Sequence, residues 1–183
     1  MISRSEHRVS LLNVSKSAIR ILGIDTSLRS TGVAVVAAAG SRMSAVEYGA
    51  IRIPQKLPLS ECLKRLSVGI EDLIERTRPE AAAIEGVFFS KNANTAVILG
   101  EARGVVISAC AKKGLPVYEY APRRVKQAIV GFGGAEKAQV RKMVVSLLAL
   151  KEEPQEDAGD ALALAICHLH SRTGVAALMA QPI

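Results

Sequence analysis

The sequence predicts a single α/β domain built on a five-stranded mixed sheet flanked by helices. Three observations lead to that reading. At 183 residues the chain suits one sizeable core and is short for two. β-type runs come first as a group of three and then alternate with segments of helical period. Hydrophobic residues make up 49% against 22% charged, which excludes a disordered chain. The longest uncharged run, Ser30 to Ser41, contains glycine and falls short of the ~18 residues a membrane span needs, so no membrane partner is expected.

Residues 1–18 hold five serines and several basic residues without a period, and they read as a disordered N-terminal extension. Order is expected over 19–172, with 173–183 as a C-terminal tail. Ile19 to Thr26, Thr31 to Ala39 and Ala45 to Ile53 are β-type runs separated by Gly and Ser, a meander of three strands. From Ser60, apolar residues at 63, 66, 70, 73 and 74 are spaced by three and four, which predicts an amphipathic helix ending near Pro79. Ala81 to Phe89 is the fourth strand. Asn94 is placed as the cap of a helix reaching Lys113, with Gly114 as its stop; Gly100 and Gly104 inside it allow close backbone approach. Pro116 to Tyr120 is the fifth strand, and Pro122 opens a short helix ending at Gly131. The loop Gly131-Phe132-Gly133-Gly134 leads into a helix with Val140, Met143, Val144, Leu147 and Leu148 on one side. A last helix starts near Asp157.

The charge is unevenly placed. The chain carries a net +7, and the stretch from Glu101 to Lys151, with ten basic and three acidic residues, holds all of it. Such a stretch suits a polyanion, most simply nucleic acid, although a solvated lysine surface accounts for charge alone. Cys62, Cys110 and Cys167 are widely spaced and form no CxxC pair, so neither a disulfide framework nor a zinc site is expected; a reducing, cytoplasmic setting fits.

Four carboxylates stand where apolar residues belong. Asp25 closes the strand Ile19 to Ile24, and an ionised group there costs several kcal/mol unless a cation or donors compensate it. The plain alternative is a turn in which Asp25 accepts from Ser27 or Leu28. Glu85 ends a second buried-looking strand, where an arginine partner is the plain alternative. Asp157 and Asp160 are three apart at the start of the last helix, on roughly one face; Asp157 alone would pass for an N-cap. If the strands are neighbours and the helix crosses them, the four acids converge, and divalent cations relieve their repulsion. Oxygen ligands without His or Cys favour Mg²⁺ or Mn²⁺. Acids for metal beside a basic stretch for phosphate indicate a nuclease.

Leu22-Gly-Ile-Asp25 with Thr31-Gly32, Ile84-Glu85 followed by Phe88, Lys91 and Asn92, Leu99-Gly-Glu-Ala-Arg103-Gly, Glu119-Tyr-Ala-Pro with Val125-Lys126-Gln127, Gly134-Ala-Glu-Lys137 and Asp157-Ala-Gly-Asp160-Ala-Leu-Ala stand in order along the chain. Together, from Ile19 to His170, they resemble the RuvC family of crossover junction endodeoxyribonucleases. The resemblance implies a ribonuclease H-like fold, a homodimer, and resolution of four-way Holliday junctions by paired symmetric nicks in recombination and repair. It implies two Mg²⁺ ions per site, with Mn²⁺ able to substitute, held by Asp25, Glu85, Asp157 and Asp160. Asp25 is expected to bridge the ions, Glu85 and Asp160 to hold one each, and Asp157 to assist. It puts the basic catalytic positions on Lys126 and Lys137 and a base-stacking aromatic on Phe88. It assigns dimerisation to the helix Asn94 to Lys113, and it implies the branch-migration proteins RuvA and RuvB as partners.

Lys91, Arg123, Arg124 and Arg141 are further candidate DNA contacts, beside Phe88, Lys126 and Lys137. Thr26-Ser27 stands where the family usually has Pro-Gly, and Gly159 where it commonly has Ala. The Gly-Ile-Asp-Thr-Ser turn also resembles the phosphate hairpin of actin-like kinases, which need a second comparable domain. A junction-binding module without catalysis and a related nuclease acting on RNA complete the alternatives. Lys137, at a helix start after a Gly-rich loop, is placed to meet a phosphate, while no GxxxxGK[ST] motif occurs.

Overall fold

Apolar residues alternating with small ones, and turns marked by glycine and serine, form the first three strands. In the computed structural model, which describes residues 18–86, 92–172 and 182–183, β1 (Ile19–Asp25), β2 (Ser30–Ala39) and β3 (Arg42–Arg52) make an antiparallel meander. After them come α1 (Leu59–Thr77), β4 (Ala81–Glu85), α2 (Ala93–Lys112), β5 (Val117–Tyr120), α3 (Pro122–Val130), α4 (Lys137–Leu147) and α5 (Glu156–Arg172). β4 pairs in parallel with β1 and β5 in parallel with β4, giving the order β3-β2-β1-β4-β5. This is the mixed five-stranded sheet expected. The N-terminal extension, Phe88, Lys91, the far end of the expected fourth strand and most of the tail lie outside the described residues.

Several boundaries differ from expectation for local reasons. β3 begins at Arg42 because Gly40, at φ +61°, turns the chain so tightly that Ala39 pairs with Arg42. The cap of α2 is Asn92, whose side chain accepts from the Thr95 amide at 3.2 Å; Asn94 lies inside the helix instead. Met143 was expected on the buried side of α4, yet it is 38% exposed, because Val140 and Val144 take the inward stripe.

Side-chain alternation divides the core in two. Leu22, Ile24, Val33 and Val35 meet Leu66, Ile70 and Leu73 of α1 and Val106 of α2. Ile21, Ala34, Val36 and Ala83 meet α5, with α3 and α4 packed beyond it. α5 is buried along most of its length, from Ala158 to Leu169. It approaches the sheet this closely because two strand residues lack side chains. A Cβ on Gly23 would lie 1.9 Å from the Ala161 carbonyl oxygen, and one on Gly32 would lie 2.0 Å from the Asp157 carbonyl oxygen. Both would strike helix backbone, which cannot rotate away.

His168, toward the C-terminal end of α5, is buried. Tyr120 Oη and His168 Nδ1 are 2.8 Å apart, and the Tyr118 ring centroid lies 4.5 Å from that of His168. Burial, helped by the charge of Arg172, pushes the imidazole down to about 4, so it is neutral in the folded protein at physiological pH.

Replacing Gly23 by Ala is expected to lower unfolding stability on the order of 3 kcal/mol in urea titration, through overpacking against α5. A second expectation concerns pH. Below the ordinary His value of 6.5 the unfolded chain takes up a proton that folded His168 refuses until about 4, so this residue's contribution falls as pH drops through that window. The difference in urea midpoint between the native chain and His168→Gln should therefore shrink from pH 7 to pH 4.5, by up to about 3 kcal/mol in stability.

Candidate active site

Register brings the first two acids together. β1 and β4 pair in parallel with Ile24 opposite Ile84, so Asp25 and Glu85 leave the ends of adjacent central strands side by side. Both continue the alternation of Ile21 and of Ala83, which face α5. Asp25 also pairs with Gly32 of β2, the residue on which the first turn of α5 rests. The same close contact that seats α5 therefore presents Asp157 and Asp160 to Asp25.

The electrostatics record this convergence. The Asp25 carboxyl is pushed up from 3.8 to about 7, first by burial and then by the charges of Asp160, Glu85 and Asp157. Glu85 is raised by burial and by Asp160. Lys137 acts against both shifts. The lysine stands at the first position of α4, with its amine 3.3 Å from Asp160 Oδ2 and 2.9 Å from Glu156 Oε1. Its own proton is held more tightly, chiefly by the hydrogen bond to Glu156.

The plain alternatives for these acids do not describe the site. The Ser27 amide donates to Thr31 Oγ1 at 3.2 Å, and the Ser30 amide donates to Ser27 Oγ at 3.1 Å. Hydroxyls thus close the turn where the family usually has Pro-Gly. Among the described residues no arginine forms an ion pair with Glu85: Arg103 donates to the Glu85 carbonyl oxygen at 2.5 Å and pairs with the Glu119 carboxylate. Asp157 lies within α5, and its carboxylate accepts from Ser30 Oγ.

Ser30, Glu156, Arg103 and the glycine pair were not singled out as supports. Gly23, Gly32 and Arg103 do sit inside the sequence blocks already noted, and alternation could have placed Ser30 on the face of Asp25. The partnership of Glu156 with Lys137 needed the tertiary structure, since these residues lie on different helices.

Among the other candidates, Lys126 is half-buried on α3, and Arg123 is exposed there, packed against Gly133. Arg124 lies near Tyr120 and Cys167, whose protons are held more tightly by burial, and its charge partly offsets that rise. Arg141 faces Glu153 at 3.3 Å and packs on Gly159, where a Cβ would make only ordinary contacts at 3.6 Å or more. Among the described basic candidates, Lys137 is the one seen to act on the acids.

A family model described as crossover junction endodeoxyribonuclease RuvC matches residues 21–168. The chain belongs to the RuvC family. The crossover junction endodeoxyribonuclease RuvC of Geobacter sp. strain M21 is 48% identical to it over 159 residues, covering 87% of this chain and 96% of that protein. RuvC of Alkalilimnicola ehrlichii is 51% identical over 151 residues, covering 82% and 91%. Among solved structures, Thermus thermophilus RuvC in complex with Holliday junction substrate superposes with a TM-score of 0.83 at 34% identity, covering 90% of this chain and 99% of that one. The ribonuclease H-like architecture is thus that of RuvC.

Membership of this nuclease family implies dependence on a divalent metal, and the donors fit one. The raised Asp25 and Glu85 carboxyls are those of acids crowded without enough positive charge nearby. Among the described residues no three His, Cys, Asp or Glu side chains stand close enough to grip an ion as they are placed. Carboxylates that repel one another hold apart until a cation neutralises them, and an all-oxygen set suits a hard ion.

Crowding of this kind is stabilising to remove. In EDTA at pH 8, Asp25→Asn is expected to raise unfolding stability by on the order of 1–2 kcal/mol, after allowance for solvent screening. A thermal melt showing no gain would mean that the acids do not strain the ion-free fold.

Proposed function

We propose that this chain resolves four-way DNA junctions by paired symmetric nicks in recombination and repair, using Asp25, Glu85, Asp157 and Asp160 to hold two Mg²⁺ ions. The observation that carries the reading is the convergence of acids from two neighbouring strands and one helix, with Lys137 against them, in a chain of the RuvC family. Mn²⁺ is the expected substitute. Bound there, such ions supply an activated water and stabilise the leaving oxygen of the phosphodiester.

The protein's own groups do the positioning. Partial burial of Asp25 and Glu85 weakens the solvation of the carboxylates. Ser30 orients Asp157, and Arg103 ties the end of β4 to α2 and β5, which steadies Glu85 from behind. Lys137, at the start of α4, can leave Asp160 and Glu156 for the nicked phosphate, where the helix N-terminus adds to its pull. Lys126 is assigned to neutralising charge on the same phosphate. Arg123, Arg124 and Arg141, with Phe88 and Lys91, are assigned to the junction arms and crossover.

Two opposed nicks need two sites, and a monomer of this length, with a radius of gyration of roughly 16 Å, offers one. The pairing surface that fits is α2. Val97 is 59% exposed there, and a Cβ on Gly100 or Gly104 would meet open space, so a second helix can approach its backbone. RuvA and RuvB are the expected partners in the cell, by family membership, and the cytoplasm is the expected setting. Among the described residues no helix is long and apolar enough to cross a membrane, and the three cysteines are buried and free.

The test is incubation with Mg²⁺ and, separately, a synthetic four-way junction, linear duplex, structured RNA and ATP. Symmetric nicks in the junction alone are expected, abolished by Asp25→Asn with binding retained. Lys137→Ala should slow cleavage by about 100-fold or more while changing affinity far less. Equal losses in rate and affinity would make Lys137 a docking residue, and cleavage of RNA in preference to the junction would favour the RNA-acting alternative.

A further inference from the structure

The loop Gly131-Phe132-Gly133-Gly134 is shaped by its glycines. Gly131 closes α3 at φ +80°, a conformation that disfavours a side chain. A Cβ on Gly133 would lie 2.5 Å from Arg123 Cγ, and one on Gly134 would lie 2.7 Å from Phe132 Cζ. The Phe132 ring therefore lies against the Gly134 backbone, while the residue remains 67% exposed. One side of an aromatic ring is held by its own loop, and the rest faces solvent.

Beside the ring is a cavity of about 420 Å³ between the loop and the outer side of α4. Val130, Phe132, Ala135 and Met143 supply its apolar walls, with Gln139 and Lys142 as polar groups. No acidic residue lines it. Gln139 Oε1 accepts from the Glu136 amide at 2.9 Å, which leaves the side-chain amide nitrogen as the donor it can offer. The groove lies on the outer side of α4: at 3.6 residues per turn Lys142 and Met143 stand about 140° and 120° around the helix from Lys137, and about 8–9 Å along its axis.

We propose that this groove receives an unpaired nucleobase of the bound junction, stacked on Phe132 with Lys142 on a neighbouring phosphate. The inference rests on the junction-cleaving reading and deepens it. A flat ring, a thioether, one cation and no carboxylate suit a base with its backbone. A folded protein partner would need a much wider apolar patch. The Gln139 amide offers a hydrogen bond to a base edge.

The experiment uses the full chain carrying Asp25→Asn, so that binding is read without cleavage. The probe is a series of four-way junctions carrying 2-aminopurine at successive positions outward from the crossover, and fluorescence and affinity are measured in Mg²⁺. The expected result is a fluorescence change on binding that Phe132→Ala abolishes and Phe132→Tyr keeps. Phe132→Ala should weaken junction binding about 5- to 150-fold, the range for loss of one stacked base, with duplex affinity unchanged. Met143→Ser should give a smaller loss in the same direction. Unchanged fluorescence response and affinity in Phe132→Ala would overturn the proposal, as would equal weakening toward junction and duplex, which would indicate backbone contact. A native chain that makes no junction nicks would remove the parent reading and this one together; an active native chain with an indifferent Phe132→Ala removes this one alone.

Discussion

The contact between the α5 backbone and the bare surfaces of Gly23 and Gly32 is the constraint on which the site depends. Carboxylates do not gather spontaneously; each one added to a partly buried cluster raises the cost of ionising the others, as Asp25 shows by its shift to about 7. The fold must supply that energy elsewhere. It does so through a helix buried along most of its length, packed on small residues and pressed onto two strands at backbone distance. A hydrophobic contact thus holds an unfavourable electrostatic one in place, and the strain remains available to an incoming cation.

Lys137 fits the same account. Its amine rests on Asp160 and Glu156, where positive charge is most needed while the acids face one another. A group that balances the cluster from outside it needs a flexible stem on a fixed base. The first position of a helix bounded by a capping box, in which the Glu136 and Gln139 side chains and backbones bond reciprocally, provides that base. Arg103 has the opposite character. Its guanidinium joins the Glu85 carbonyl to Glu119, so its work is to hold β4, β5 and α2 in register.

The two faces of the sheet divide the remaining tasks. One carries α5, α3 and α4, and with them the acids, Lys126, Lys137 and the Phe132 groove. The other carries α1 and α2, and α2 turns an apolar, glycine-bearing side outward. The surface proposed for a second copy and the one proposed for DNA therefore lie on opposite layers, so such pairing would leave the acids uncovered.

Much of this was legible in the linear chain. The five strands, their order along the chain and the helices follow from period and punctuation, because alternation and three-four spacing are local properties of the backbone. The four acids could be suspected because each stands in an apolar context that penalises charge. What only the tertiary structure decided concerns relations between distant segments: the parallel pairing that sets Asp25 beside Glu85, the glycine contacts that bring α5 within reach, the Ser30 bond to Asp157, and the burial of His168 against Tyr120. Asn92 displaced Asn94 as the cap because a side chain reaches only the amide that the helix start leaves unpaired. A sequence states which residues prefer to be buried or charged; which of them meet is fixed by register and interhelical approach, and those depend on the whole core at once.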